Sequence, residues 1–107
     1  MKRGDLVTVA VSGDYGKPRP ALVVQADAYA EHPSLTVLPL TSELQDAPVL
    51  RVTVEPGDGT GVRLRSQVMV DKATTIPRAK AGRRIGQLDA VTLGRVSEAL
   101  AAFLGLG

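Results

Sequence analysis

The chain contains no cysteine and no tryptophan, and only one histidine and one phenylalanine among its 107 residues. Without thiols there is no disulfide framework, no thiolate nucleophile and no thiolate ligand for zinc. A lone histidine, His32, cannot form a two-histidine acid–base pair, and with the carboxylates dispersed it offers no metal-ligand cluster at a recognised spacing. His32 lies in Glu31-His32-Pro33, far from any serine in a glycine-flanked elbow, so Ser-His-Asp hydrolysis has no support. The stretch Gly57-Asp58-Gly59-Thr60-Gly61 lacks the Lys-Ser/Thr pair that completes a phosphate loop and reads as a hairpin turn. Asp71-Lys72, with no companion acid on an adjoining strand, reads as a surface ion pair rather than a piece of a metal-dependent nuclease. No apolar run approaches the ~20 residues needed to cross a bilayer. Met1 to Asp5 also enters a strand-like run without the apolar region of a signal peptide, so a cytoplasmic location is expected.

What is present describes a small globular protein. Hydrophobic residues make up 44% and charged residues 22%, enough for one core and one domain over 1–107. The net charge is only +2, but nine of the thirteen basic residues are arginine, whose planar fork suits phosphate oxygens. The charge is also unevenly spread. Arg63, Arg65, Lys72, Arg78, Lys80, Arg83 and Arg84 face a single acid, Asp71, between 63 and 84, whereas Glu43, Asp46, Glu55 and Asp58 oppose only Arg51 just before. A basic face of this kind is the electrostatic footprint of a nucleic-acid or acidic-peptide binder.

Strand-like runs are expected at Leu6 to Val11, Pro20 to Gln25, Leu35 to Leu40, Leu50 to Glu55, Gln67 to Asp71 and Ala73 to Ile76, separated by Gly-, Pro- and Asp-bearing connections. Pro39 places the outer end of the third run at an edge or bulge. From Asp89 the period becomes helical, with Leu93, Val96, Leu100, Phe103 and Leu104 in step, Asp89 as N-cap and Gly105 as stop. The Leu93, Val96, Leu100, Leu104 face is assigned to the core. The fold class is therefore mainly β with a C-terminal helix, a small, curled antiparallel barrel on which the helix packs.

The stretch Lys17-Pro18-Arg19-Pro20-Ala21-Leu22-Val23-Val24 holds the most pointed feature, an arginine between two prolines. Each proline fixes its own φ and Pro20 pushes Arg19 toward extended backbone, which pre-orients the side chain; solvating the start of a strand remains the plain alternative. An oriented arginine, a hydroxyl pair at Thr41-Ser42 and a basic face suit RNA cleavage. RNA carries its own nucleophile in the 2′-hydroxyl, so a catalyst need only move protons and stabilise the negative phosphorane, without a metal or cofactor.

Four segments in order, Arg3-Gly4-Asp5-Leu6-Val7, Lys17 to Val24, Leu38-Pro39-Leu40-Thr41-Ser42 and Ser66-Gln67-Val68-Met69-Val70-Asp71-Lys72, resemble the MazF/PemK family of toxin endoribonucleases. Gly82 to Asp89 and the closing helix resemble the family's C-terminal region. The resemblance implies a curled SH3-like barrel of the plasmid-toxin type and a homodimer with RNA along its interface. It also implies metal-independent cleavage of single-stranded RNA to a 2′,3′-cyclic phosphate and a 5′-hydroxyl, and a cognate antitoxin, for which the basic face suits an acidic tail. On that resemblance the catalytic pair falls on Arg19 and Thr41, with Ser42 in reserve, and the short loop before the second strand leaves Tyr15 and Lys17 in RNA-contacting roles. Arg63 and Arg65 of the basic run, with Gln67 of the fourth segment, complete the expected RNA-binding set. Two other readings compete: a non-catalytic nucleic-acid-binding module on the same barrel, and a gyrase-targeting toxin of the same fold. The last would act through a C-terminal aromatic contact, yet Phe103-Leu104-Gly105-Leu106-Gly107 has no tryptophan.

Overall fold

A computed structural model describes residues 1–10 and 17–107. Seven strands form one curled antiparallel sheet, β1 (Asp5–Ala10), β2 (Pro18–Val23), β3 (Ser34–Thr41), β4 (Arg51–Val54), β5 (Ser66–Met69), β6 (Thr74–Pro77) and β7 (Ala81–Gln87), followed by helix α1 (Ala90–Phe103). The spatial order is β4-β5-β3-β2-β1-β7, with β6 on β3. The expected fold, mainly β with a closing helix, is the one observed, although the sheet curls without closing on itself.

β3 organises the rest. One side pairs with β2 through Ala21↔Pro39, Leu22↔Leu38 and Val23↔Val37. Its other side changes partner midway, from β6 opposite 34–37 to β5 opposite Leu40 and Thr41. Pro39 falls in the gap between those two partners, where a missing N–H removes no ladder bond, and this is how an interior strand tolerates it.

Strand alternation divides the apolar side chains between two clusters. Leu6, Leu22, Leu38 and Leu40 point to one face and pack with Val52, Val54, Val68 and Val96, so β4, β5 and α1 cover that side. Val7, Val9, Ala21, Val23, Leu35 and Val37 form the second cluster on the opposite face. Helix α1 starts at the expected cap, where the Asp89 carboxylate accepts from the Thr92 N–H at 2.9 Å. It ends at Gly105, whose φ of +74° lets the Leu106 N–H reach the Ala101 carbonyl at 2.7 Å. Val96 is fully buried, and Leu93 and Leu100 pack beside it. Phe103 and Leu104, however, stay half exposed, so the expected core stripe of the helix is correct only for its first three turns. The last turn overruns the sheet that would cover it.

Strand ends differ from expectation by one or two residues, and one strand is new. β2 begins at Pro18, not Pro20, so Arg19 is inside the strand, opposite Val9 of β1, rather than just ahead of it. The β3 ladder begins only at Ala21, so both prolines lie where β2 has a single neighbour. The fifth strand ends at Met69, and Val70–Lys72 turn as a short 3-10 helix. β7 is not among the expected strands: Ala81-Gly82-Arg83-Arg84-Ile85-Gly86-Gln87 carries two glycines and two arginines, yet it pairs along β1 from Asp5↔Gln87 to Val9↔Ala81. Its irregular register, shifted on either side of Val7, blurs the alternation that marks a strand.

Residues 57–61 do not make a tight hairpin between β4 and β5. They lie against β7, where the Gln87 N–H donates to the Gly59 carbonyl at 3.0 Å. A Cβ on Gly61 would sit 2.0 Å from the Ile85 oxygen, and one on Gly86 would sit 2.3 Å from the Thr60 carbonyl carbon. The glycines are there for backbone-to-backbone approach, which disposes of the phosphate-loop alternative on structural grounds.

Candidate active site

The β2–β3 register carries the site. Continued two residues past Ala21↔Pro39, it sets Arg19 across from Thr41, both on the face that bears Ala21, Val23 and Val37. The two polar side chains thus extend an otherwise apolar face at its open end. Arg19 is exposed and Thr41 half-buried. The Thr41 Oγ1 accepts the Glu43 N–H at 3.0 Å, which uses an acceptor site and leaves the hydroxyl proton to be donated outward.

Two adjoining hollows share Arg19, Leu40 and Ser42. The larger, about 690 Å³, adds Thr41, Glu43, Asp71 and Lys72. The smaller, about 390 Å³, adds Arg63, Ser66 and Arg83. Arg19 therefore stands on the divide of a groove that has Lys72 on one side and Arg63 and Arg83 on the other. Such spacing of cations along a trough suits a polyanionic strand.

The basic run of the sequence does not act as one face. Arg63, Lys72 and Arg83 join Arg19, but Arg84 donates to Asp5 at 3.0 Å and Arg65 pairs with Glu55 at 2.9 Å. Arg78 donates to the His32 carbonyl at 2.6 Å and so pins the exposed 27–34 connection. Gln67 is buried, its amide accepting from the Gln45 N–H at 2.9 Å and donating to the Gln45 carbonyl at 3.1 Å. It lines a separate hollow of about 620 Å³ beneath α1, away from Arg19. Of the expected RNA-binding residues, Ser42 and Arg63 are thus brought to the groove, and Arg65 and Gln67 are not. Lys17 is exposed just ahead of β2, and Tyr15 lies outside the described residues.

Asp71 is the residue that sequence reasoning places least well. Its partner is not Lys72 but Arg51, whose side chain is only 8% exposed and donates to Asp71 Oδ1 from Nη1. That hydrogen bond is the main reason the Asp71 carboxyl is held below the usual range, with burial opposing it. The pair bridges residues twenty apart through the antiparallel match Arg51↔Met69, so no local spacing announces it. Arg83 does not stand out in the sequence because its strand does not. Among the described residues no group of three His, Cys, Asp or Glu could hold a metal ion, and no helix is long and apolar enough to cross a membrane.

A curled antiparallel sheet with one closing helix and a cation-lined trough is a fold shared with small toxin proteins. The chain belongs to the family of PemK-like, MazF-like toxins of type II toxin-antitoxin systems, whose model matches residues 2–104. A curated relative from Mycolicibacterium smegmatis, named "Probable endoribonuclease MazF", is 44% identical over 107 residues, 99% of this chain and 98% of that one. Among solved structures, the Mycobacterium tuberculosis toxin MazF-mt6 superposes with a TM-score of 0.82 at 26% identity, covering 96% of this chain and 98% of its own. A MazE-MazF crystal structure from Deinococcus radiodurans matches with a TM-score of 0.81 at 26% identity, over 100% of this chain and 97% of that one.

Proposed function

We propose that this protein is the toxin of a type II toxin-antitoxin pair and an endoribonuclease that cuts single-stranded RNA without a metal, so stopping translation and growth. The observation that carries the reading is that Arg19 of β2 and Thr41 of the neighbouring β3 line one hollow of a groove with spaced cations. The 2′-hydroxyl of the substrate attacks its own phosphate; the O2′–P bond forms, the P–O5′ bond breaks, and a proton passes from O2′ to solvent while O5′ gains one. The products are a 2′,3′-cyclic phosphate and a 5′-hydroxyl. Arg19 neutralises the charge that grows on the phosphorane, and Thr41, with its oxygen already accepting from the Glu43 N–H, donates its proton to a phosphoryl oxygen. Ser42, at the junction of the two hollows, is placed to take that role if Thr41 is removed.

Arg63, Lys72, Arg83 and the exposed Lys17 hold the strand, and the whole chain 1–107 works as one domain in a cytoplasmic homodimer. The partner is an antitoxin, as the MazE-MazF assembly of the Deinococcus relative suggests by analogy, and its acidic tail would lie in the cation-lined groove. Purified protein should cut single-stranded RNA in EDTA. Arg19→Ala should lower the rate roughly a hundredfold to a thousandfold, the usual loss for one transition-state donor, in protein that remains folded by circular dichroism. Cutting that requires added magnesium, or that survives Arg19→Ala, would overturn the proposal.

A further inference from the structure

An ionised carboxylate is out of place in a groove built for a polyanion. Asp71 nevertheless lines the hollow that holds Arg19, Thr41 and Lys72. Swinging away would be costly. Arg51 is 8% exposed; its Nη1 donates to Asp71 and to the Leu50 carbonyl, and its Nε lacks a partner among the described residues, so losing the carboxylate would leave a largely buried charge without its counterion. The buried guanidinium therefore fixes Asp71 as an anion, with 24% of its side chain still open to the groove. Glu43 also lines this hollow, but it is exposed on the link after β3 with no such anchor in the core.

A fixed carboxylate only accepts hydrogen bonds. Beside an RNA strand it repels phosphates and the carbonyl edges of bases, and it attracts amino groups. Adenine, cytosine and guanine carry an exocyclic amino group; uracil carries carbonyls in the corresponding places. We propose that Asp71 is a base-reading residue: it accepts a hydrogen bond from the exocyclic amino group of a nucleotide held beside the scissile phosphate, and so excludes uracil from that position. Arg51 is the positioning residue behind it. The inference rests on the RNA-cleaving reading of the groove and adds to it a substrate class, RNA bearing an amino-substituted base at one fixed place.

The test separates recognition from cleavage. Short 2′-fluoro oligonucleotides, which have no 2′-hydroxyl to attack, are compared by fluorescence anisotropy, exchanging cytosine for uracil, adenine for hypoxanthine and guanine for hypoxanthine at each position in turn. One position should favour the amino-bearing base by about tenfold or more, the usual discrimination of a good base-edge contact, and Asp71→Asn, whose amide both donates and accepts, should reduce that ratio to about one. A double variant, Arg51→Met with Asp71→Asn, removes the buried charge as well and should show the same loss if the single variant folds poorly. The proposal is overturned if no position discriminates, if the oligonucleotides do not bind, or if Asp71→Asn weakens every oligonucleotide by one common factor, as a purely structural ion pair would. Unmodified RNA reports separately on cleavage: discrimination without cutting refutes the nuclease and keeps the base reader, and cutting without discrimination does the reverse.

Discussion

Replacing Gly61 by alanine should damage both the fold and the groove, while the same change at Gly59, two residues away, should not. Gly61 has φ +71°, a left-handed conformation that costs an L-residue roughly 1–2 kcal/mol. Its added Cβ would also lie 2.0 Å from the Ile85 oxygen and 2.7 Å from the Ile85 carbonyl carbon. Those are backbone atoms of β7, so no rotamer change relieves the overlap; the 57–61 turn and β7 must separate. Separation uncovers Val62, now 5% exposed, and burying a side chain of that size is worth roughly 1.5–3 kcal/mol in full. Counting part of that loss, Gly61→Ala should destabilise by about 2–4 kcal/mol. At roughly 4 °C per kcal/mol for a domain of this size, the melting temperature should fall by about 8–16 °C. Gly59 has open space around the site of its Cβ and is not in the left-handed region, so Gly59→Ala should be neutral or stabilise by about 0.4–1 kcal/mol. Because Gly61, Arg63 and Ile85 all line the smaller hollow beside Arg19, RNA affinity should fall only in the Gly61 variant. Urea or thermal melts followed by circular dichroism measure the stabilities. A Gly61→Ala protein within about 0.5 kcal/mol of the parent, the range of an ordinary surface substitution, or two variants that behave alike, would refute the close approach of turn and strand.

Salt should weaken RNA binding with a slope of log K against log salt set by the groove cations. If Arg19, Arg63, Lys72 and Arg83 each meet a phosphate, single-stranded RNA should give a slope of about −3, at about −0.7 per contact. Arg63→Ala should make it shallower by about 0.7, whereas Arg65→Ala, which removes only the partner of Glu55, should leave it alone; equal effects would show that both arginines touch the strand. Acid should destabilise the fold in a defined window. The carboxyls of Asp5, Asp71 and Asp89 titrate below their unfolded value, Asp5 because the Lys2 N–H and Arg84 outweigh its burial, Asp71 through Arg51, and Asp89 through Thr92. A depressed native pKa contributes stability above the unfolded value, about 3.9, and loses it as pH falls through the native values. Melting temperature should hold level from pH 7 to about 5 and drop below about pH 4; a drop centred above pH 5 would contradict these pairings.

The elements most legible in the sequence are those whose signal is local. Asp89 and Gly105 bound α1 as caps, and Leu38-Pro39-Leu40 forms an apolar strand that ends in a hydroxyl. Non-local features are hidden. β7 reads as loop because its strand character comes from pairing with β1, at the other end of the chain, across an irregular register. The same distance effect blurs the basic run: whether an arginine reaches the groove depends on which acid the fold supplies, Glu55 for Arg65 and Asp5 for Arg84, and neither acid is near in sequence. Gln67 fails as an RNA ligand for a related reason. Its position opposite Thr41 in the β3–β5 pairing is right, but the link after β3 folds over it and its amide is used up by the Gln45 backbone.

The placement of Arg19 and Thr41 follows from how β3 uses its two edges. A strand whose two faces were both covered along its whole length would leave no polar end. Here β2 extends beyond its β3 ladder, and β3 changes partner at Pro39, so the start of β2 and the end of β3 lie together at the margin of an apolar face whose valines are at most 2% exposed. The rigid part of the site is therefore the hydrophobic cluster beneath it. Side chains anchored in that way lose little entropy on meeting a phosphate, because the backbone is already held by the ladder. The prolines on either side of Arg19 fit the same scheme: they forgo donors that β3 does not use there, and they fix φ where the ladder alone would leave the strand end free to fray. On this account Pro20→Ala should leave the core intact, since Val9 and Ala21 remain packed, and should lower the cleavage rate by loosening Arg19. A variant that instead melts cooperatively at a much lower temperature, with the rate per folded molecule unchanged, would show the prolines serving the fold and not the arginine.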